Sequence, residues 1–227
     1  MNAVTTDREA LVAAMREDPR LGPLLARVDA AMDDDPGHDL AHVLRVALWT
    51  LRIGADTIDP DEGVAAALLH DIVNVPKDSP DRARASELCA AQARSWLPEH
   101  GFGAEAIERI ADAIRDHSFS RGAVPQGPLG QALQDADRLE ALGVIGLFRC
   151  VSTGSRMGAR YFHDADPWGR RGRSRDDRAY SIDHFFEKLL GLHATMNTAA
   201  GRAEALRRTE YLRLTLTQLG DEIGEAY

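Results

Sequence analysis

The sequence predicts an all-α protein. Apolar residues recur at helical spacing along almost the whole chain, for example at Leu40, Val43 and Leu51 near one end. A similar stripe runs from Leu212 to Ile223 near the other end. Alternating apolar and polar residues, which would indicate half-buried strands, are absent over any useful length. We therefore expect a helical bundle in a single domain, with an additional C-terminal helical region.

Helices are expected wherever this spacing continues between helix-breaking residues. The breaks fall at Asp35-Pro36-Gly37, Pro76 to Pro80, His100-Gly101 and Pro125 to Pro128. With ends accurate to a few residues, the predicted helices are 6–17, 21–32, 39–54, 60–72, 82–97, 104–117, 129–141, 143–152, 181–193 and 202–224.

The segment 153–180 differs from its surroundings because it has few aliphatic residues and several glycines. This composition is typical of a solvated or mobile loop, although the basic run Arg170–Arg175 could also close over a phosphate. We therefore divide the chain into a core with N-terminal helices at 1–152, a loop-rich insertion at 153–180, and C-terminal helices at 181–227 that pack on the same core.

Size, charge and cysteine content exclude several classes of protein. A chain of 227 residues with 44% hydrophobic residues can bury a substantial core. Its formal net charge of −9 argues against binding to polymeric nucleic acid, which needs a basic surface. Cys89 and Cys150 form no CxxC motif, so neither a disulfide framework nor a thiolate zinc site is expected. Without a signal-like or membrane-length apolar run, the sequence predicts a cytoplasmic protein that does not bind membranes, and it leaves a homodimer open.

A candidate metal site begins at His70-Asp71, which directly follows the apolar run 64–69. Together with His42 and Asp137, this pair offers two imidazoles and two carboxylates, a set suited to a divalent cation that polarises a phosphoryl oxygen. Because these residues are far apart in the sequence, they must come from three packed helices. A single histidine on an apolar helix is more often a hydrogen-bonded core residue, so the prediction depends on the ordered set of four.

The segments around these residues resemble the HD-domain phosphohydrolase superfamily. The matching segments are His42-Val43-Leu44-Arg45-Val46, Ala67-Leu68-Leu69-His70-Asp71-Ile72 and Asp135-Ala136-Asp137-Arg138-Leu139-Glu140-Ala141-Leu142. By this resemblance the fold is an HD-domain helical bundle, and His42, His70, Asp71 and Asp137 are the metal ligands.

Further motifs resemble one bacterial subgroup of this superfamily over most of the chain. They are Lys77 with Arg82, Arg84 and Ser86, the tetrapeptide His117-Ser118-Phe119-Ser120, and Asp183-His184-Phe185 with Lys188-Leu189-Leu190. The resemblance implies hydrolysis of nucleotides or other small phosphorylated substrates. The favoured reaction is attack of metal-activated hydroxide on the α-phosphorus of a nucleoside triphosphate, with release of pyrophosphate. The implied cofactor is Mn²⁺, with Mg²⁺, Co²⁺, Zn²⁺ or Fe²⁺ as alternatives.

Cations near the metal motif are candidates for binding the substrate. Lys77, Arg82 and Arg84 follow the His-Asp pair in a short loop bounded by prolines, where they could neutralise a polyphosphate. A solvated surface cluster is the alternative, and we favour Lys77 as a contact because it is closest in sequence to the metal ligands. The resemblance adds Arg138, either for substrate binding or for fixing Asp71.

Two further histidines have two interpretations each. His38 lies four residues before His42, so it shares a helix face with that residue if the helix begins early enough. It is either a turn histidine beside Pro36-Gly37, or a substrate contact or added metal ligand. His117, at a predicted helix end, either donates a proton to a phosphate or leaving group or is an ordinary partner of the helix dipole.

The residue that activates water is not obvious. Asp135 and Asp137 point in different directions on a helix; the resemblance selects Asp137 as the ligand. Asp135 is then either an acceptor for a ligating histidine or a solvated carboxylate. Several HD nucleotide hydrolases carry an acidic residue three positions after the His-Asp pair, where this chain has Asn74. Asp71 or His117 would then accept the proton, because a metal ion lowers the pKa of bound water by many units.

Three other functions stay open at the level of the sequence. The same site could act on nucleoside monophosphates or on a cyclic phosphodiester, which product analysis would distinguish. A di-iron oxygenase, with His38 and His117 completing a second metal site, would consume oxygen. A non-catalytic nucleotide sensor would bind nucleotide without turnover; Asn74 favours it, whereas the intact ligand set argues against it.

Overall fold

The computed structural model describes residues 7–32, 39–73, 75, 84–118 and 121–227. Within these residues there are ten α-helices and no β-strand, apart from one isolated bridge between Arg160 and Tyr180. The all-α prediction is confirmed. The helices are α1 (Arg8–Glu17), α2 (Leu21–Ala31), α3 (Leu40–Gly54), α4 (Pro60–Leu69), α5 (Ala85–Trp96), α6 (Ala104–His117), α7 (Pro128–Leu139), α8 (Gly143–Arg156), α9 (Ser181–Glu187) and α10 (Ala199–Ile223). None of these helices combines the length and apolarity that crossing a bilayer requires.

Some helix ends differ from the prediction. Helix α8 continues to Arg156 instead of ending at 152, and α10 begins at Ala199 instead of 202 because the Thr198 side chain accepts a hydrogen bond from the Gly201 amide at 2.9 Å. The prediction of one helix over 181–193 is wrong. The backbone leaves the helical conformation at Lys188 (φ −135°, ψ −58°), and a 3₁₀ helix follows at Leu189–Thr195.

The chain forms two compact units, Met1–Asp137 and Arg138–Tyr227. In the first unit, α5 packs on α6, and α4 packs on both α3 and α6. Residues Asp61 to Leu69 of α4 are all buried, so this helix is the centre of the unit. The His70-Asp71 pair follows the last residue of α4, which ends three residues earlier than predicted. The pair therefore lies at the inner end of a central helix.

The opposite end of α4 is anchored by charge pairs. The Asp59 side chain caps the helix by accepting hydrogen bonds from the amides of Asp61 and Glu62 at 2.9 and 3.1 Å. Asp61 pairs with Arg20, the residue that directly precedes α2. Glu62 receives two hydrogen bonds from Arg109 of α6, at 2.6 and 2.9 Å. Because both carboxylates are nearly buried and each has a guanidinium partner, these contacts hold α4 against its neighbours.

In the second unit, α8 and the 3₁₀ helix pack on α10, and residues 157–180 contain no helix. The interpretation of this segment as a solvated loop is wrong for its central part. Trp168 is 3% exposed and donates from its indole nitrogen to the Glu225 carbonyl at 3.1 Å. Arg173 donates two hydrogen bonds, of 2.5 and 2.7 Å, to the fully buried Asp183 carboxylate. The central part of the segment is therefore packed against the rest of the second unit.

The remaining arginines of the run Arg170–Arg175 also contact protein groups. Arg171 forms an ion pair with Glu225 at 2.5 Å, and the Arg175 guanidinium lies 4.2 Å from the centre of the Phe186 ring. Protein groups therefore explain the presence of these arginines, and no bound phosphate is needed to do so. The division of the chain into a core, an insertion and C-terminal helices stays a prediction.

Candidate metal centre

Three helices of the first unit carry the four predicted ligands. His42 is in the first turn of α3, where the Asp39 side chain caps the helix by accepting a hydrogen bond from the His42 amide at 2.8 Å. His70 and Asp71 follow α4, and Asp137 lies in the last turn of α7. Both histidines are fully buried. The separate sequence motifs therefore meet in one place.

The polar atoms of these side chains converge. His42 Nε2 lies 3.8 Å from Asp71 Oδ2 and 3.7 Å from Asp137 Oδ1. His70 Nε2 lies 3.6 Å and 3.9 Å from the same two oxygens. Ligands bound to one tetrahedral ion at about 2.1 Å are about 3.4 Å apart, and these four distances exceed that value by only a few tenths of an ångström. One ligand atom from each of His42, His70 and Asp137 lies within 4.8 Å of the others, and the same holds for His70, Asp71 and His117. The arrangement fits a divalent cation.

The tautomer of His70 also fits a ligand. Its Nδ1 lies 2.7 Å from the Ala67 carbonyl oxygen. Since a carbonyl can only accept, Nδ1 carries a proton, so that in the neutral imidazole Nε2 is the nitrogen with the free lone pair. Among the described residues, His70 Nε2 is buried and has no hydrogen-bond partner. Such an atom is costly unless something binds it, and a metal ion would do so.

His117 lies beside this cluster, at the end of α6. Its Nδ1 is 2.6 Å from the Ile114 carbonyl oxygen and its Nε2 is 3.7 Å from Asp71 Oδ1. Its ring centre is 5.0 Å from that of His70. Burial lowers the pKa of His117, and the neighbouring His70 lowers it further. A neutral His117 therefore directs a lone pair toward Asp71, as a proton acceptor or as a further ligand.

Asp137 is held in its ionised form. Burial raises its pKa, but the positive charge that His70, His117 and His42 carry when they are protonated outweighs this effect, so that the pKa lies below its ordinary value. An ionised carboxylate is the form that binds a cation.

Asp135 is fully buried, so its interpretation as a solvated carboxylate is wrong. The other interpretation, an acceptor for a ligating histidine, stays a prediction.

Sequence reasoning missed Gln134. This residue is fully buried, and its side-chain amide donates to the carbonyls of Asp116 and Ala123 at 2.9 and 3.0 Å. It thereby ties the end of α6, which carries His117, to α7, which carries Asp137. No sequence pattern marks such a residue, because its partners are backbone atoms that only the folded chain brings near.

The predicted substrate contacts are less well defined. Arg84 is an exposed residue whose guanidinium lies 3.6 Å from the Glu87 carboxylate. In the second unit, Arg138 donates to the carbonyl of Thr195. The other predicted contacts and the proposed water-activating position lie outside the described residues; these are His38, Asn74, Lys77 and Arg82.

Comparison with known proteins identifies the family. The HD domain model matches residues 39–142, which include all four predicted ligands. YpgQ of Bacillus subtilis is 34% identical over 196 residues, which cover 84% of this chain and 87% of YpgQ. The chain belongs to the HD-domain family. It is therefore a metal-dependent phosphohydrolase of the HD superfamily, as the sequence resemblance predicted.

Solved structures agree with this assignment. The crystal structure of B. subtilis YpgQ in complex with ADP has a TM-score of 0.68 and 29% identity, and the match covers 88% of this chain and 96% of YpgQ. An HD-superfamily hydrolase from Bacillus thuringiensis has a TM-score of 0.66 and 26% identity, with 95% and 98% of the two chains covered. A predicted HD-superfamily hydrolase from an uncultured Thermotogales bacterium has a TM-score of 0.63 and 26% identity, with coverage of 93% and 98%.

Proposed function

We propose that this HD-domain protein hydrolyses nucleotides, most of all nucleoside triphosphates, by attack of water on the α-phosphorus with release of pyrophosphate. The observation that carries the proposal is the convergence of two imidazole nitrogens and two carboxylate oxygens at 3.6 to 3.9 Å. The ADP bound to YpgQ supports a nucleotide as the substrate. Position 74 carries Asn instead of a carboxylate, but the reaction is still possible if other groups accept the proton of the attacking water.

The proposed ligands are His42, His70, Asp71 and Asp137, and the proposed cation is Mn²⁺ or a similar ion. When bound, the cation lowers the pKa of a coordinated water and offsets the negative charge of the phosphoryl group. The proposed ligand side chains would hold this cation in a fixed position. The Ala67 carbonyl, for example, leaves Nε2 as the nitrogen of His70 that can bind it. The basic residues Lys77, Arg82, Arg84 and Arg138, together with His38, are proposed substrate contacts that offset charge on the leaving pyrophosphate.

Asp71 and His117 are proposed to move the proton of the attacking water. One Asp71 oxygen faces the two ligand histidines, whereas the other lies 3.7 Å from His117 Nε2. The carboxylate thus lies between the proposed ligands and a neutral imidazole. His117 keeps its Nε2 lone pair available because Nδ1 donates to the Ile114 carbonyl, so it can take up a proton that Asp71 helps to direct.

A nucleotide panel tests the proposal. Triphosphates, monophosphates and cyclic nucleotides are incubated with Mn²⁺, Mg²⁺, Co²⁺ or Zn²⁺, and phosphate and pyrophosphate are measured separately. We expect pyrophosphate and a monophosphate from triphosphates. In H₂¹⁸O, the label should enter the monophosphate, since attack occurs at the α-phosphorus.

The other outcomes are equally informative. Phosphate released from monophosphates would replace the proposal with a nucleotidase, and opening of a cyclic nucleotide would replace it with a phosphodiesterase. Label in the pyrophosphate would place the attack at the β-phosphorus. Absence of turnover for every phosphorylated compound, with each metal, would refute all of these activities. The chelator-treated protein is the control for metal dependence.

A further inference from the structure

The second unit contains a pocket of about 450 Å³ between α8, α9 and residues 177–178. None of the proposed metal ligands lines it. Its volume lies within the range of about 300–1,000 Å³ that is usual for small-molecule sites. Its lining combines one buried hydroxyl, a group of cationic side chains and an apolar wall. Together these three features indicate a single class of ligand.

The buried hydroxyl belongs to Ser181, the first residue of α9. Ser181 is 3% exposed, and among the described residues its Oγ is buried without a hydrogen-bond partner. The hydroxyl faces Gly154 of α8, where a Cβ atom would overlap Oγ. Glycine at this position therefore makes room for the hydroxyl. A buried hydroxyl without a partner is unfavourable, whereas a ligand with an acceptor atom would satisfy it.

The charged part of the lining is predominantly basic. It contains Arg149, Arg178 and His184, and its one carboxylate, that of Asp177, lies 2.9 Å from His184 Nδ1. The carboxylate is therefore already in contact with a basic side chain. Guanidinium groups match the geometry of carboxylate and phosphate oxygens, so the polar side of the pocket favours an anion.

Part of the lining is an apolar and uncharged wall. It includes Cys150, Met157 and Leu189. Cys150 donates from its thiol to the Ser181 carbonyl, with a sulfur–oxygen distance of 3.5 Å. Burial raises the pKa of this thiol to about 11, with a contribution from Asp177, so no thiolate opposes an anion there. This wall would contact the apolar body of a ligand.

We propose that this pocket is a second ligand site, separate from the metal centre, that binds a small organic anion: a phosphate or carboxylate group carried on an apolar body. The Ser181 hydroxyl and the Arg149 and Arg178 guanidinium groups bind the anionic group. The wall formed around Cys150 and Leu189 contacts the apolar body. This site goes beyond the hydrolytic activity proposed above and does not depend on it.

The test uses 4-fluorophenylphosphonate, which has no phosphoester bond to hydrolyse, and follows binding by ¹⁹F NMR and titration calorimetry. We expect binding to persist in His70→Ala, which lacks a proposed metal ligand. Ser181→Ala and Arg178→Ala should each weaken it about tenfold, the loss of one charge-assisted hydrogen bond or ion pair. Because the hydroxyl has no hydrogen-bond partner among the described residues, Ser181→Ala should leave the Tm unchanged or raised, so that a loss of binding can be distinguished from a loss of folding.

Matched controls are Ser155→Ala, on an exposed face of α8, and Arg160→Ala, an exposed arginine outside the lining; both should bind like the wild type. 4-Fluorobenzoate distinguishes a carboxylate from a phosphate as the preferred anion, and 4-fluorobenzylamine should not bind. The proposal is overturned if the phosphonate does not bind, if Ser181→Ala and Arg178→Ala bind it with wild-type affinity, if His70→Ala abolishes binding, or if the amine binds equally well.

Discussion

The His-Asp cluster of the first unit and the basic run Arg170–Arg175 of the second unit both concentrate chemically active side chains, but the structure uses them differently. In the cluster, His70 Nε2 is buried and has no hydrogen-bond partner among the described residues, while carboxylate oxygens approach it at 3.6 to 3.9 Å. In the basic run, Arg173 is bound by Asp183 and Arg171 by Glu225.

The difference shows that charge in a sequence does not by itself indicate a ligand site. The arginines of the basic run have protein partners, so they contribute to folding. The cluster instead places His70 Nε2, which has no hydrogen-bond partner among the described residues, beside two carboxylates, an arrangement that is unfavourable unless a cation binds. Substitutions in the two regions should therefore affect different properties of the protein.

The largest effect is expected in the cluster. Asp137→Asn should reduce metal-dependent turnover at least about 100-fold, because the amide removes a charge that the cation needs, and even residues that only support ligands cost 10–100-fold. Turnover and bound metal per chain are measured together. Asp164→Asn, at a carboxylate that is 83% exposed, is the control and should change neither. Full metal content and activity in Asp137→Asn would exclude this residue as a ligand.

An intermediate effect is expected at the buried ion pair. Asp183→Ala should lower the free energy of unfolding by about 3–5 kcal/mol, since it leaves Arg173 without its carboxylate in a nearly buried position. Urea denaturation measures the change. The double variant Arg173→Met with Asp183→Leu should recover much of the loss, because it removes both charges. A loss below about 1 kcal/mol in Asp183→Ala would show that the pair is not important for stability.

The smallest effect is expected at the exposed end of the basic run. Arg171→Ala should lower the free energy of unfolding by less than about 1 kcal/mol, because Arg171 is 59% exposed and its pair with Glu225 is screened by solvent. The KM for nucleotide should not change. A KM raised several-fold at unchanged stability would instead support the alternative that this run closes over a phosphate.

The features that sequence predicted well are those with a local signal. Helical periodicity marks α3 and α10 because their buried faces repeat every three or four residues. The break at Lys188 has no such signal, since Glu187-Lys188-Leu189 contains neither glycine nor proline and consists of good helix formers. Tertiary packing therefore determines where this helix ends. The start of α10 did carry a signal, because Thr198 is a favoured N-cap residue.

The same division holds for the candidate sites. The proposed metal ligands could be predicted because each lies in a recognisable motif, and the fold brings these motifs together. Gln134 and Ser181 were not found, since a single polar residue does not reveal which backbone or side chain it will meet in the folded chain. Their importance follows from burial and hydrogen bonding, which exist only in the folded chain.

The ion pairs Arg20–Asp61 and Arg109–Glu62, which anchor the N-terminal end of α4, have a consequence for the choice of cation. Because these two ion pairs join the N-terminal turn of α4 to Arg20 and to α6, they help to fix where the other end of the helix places His70 and Asp71. Small cations with bond lengths of about 2.0–2.2 Å can be enclosed by slight side-chain rotations. Calcium requires bond lengths of about 2.3–2.6 Å and more oxygen ligands. To bind it, helix α4 would have to shift away from the site and strain both ion pairs. We therefore expect the anchoring of α4 to select cations by radius.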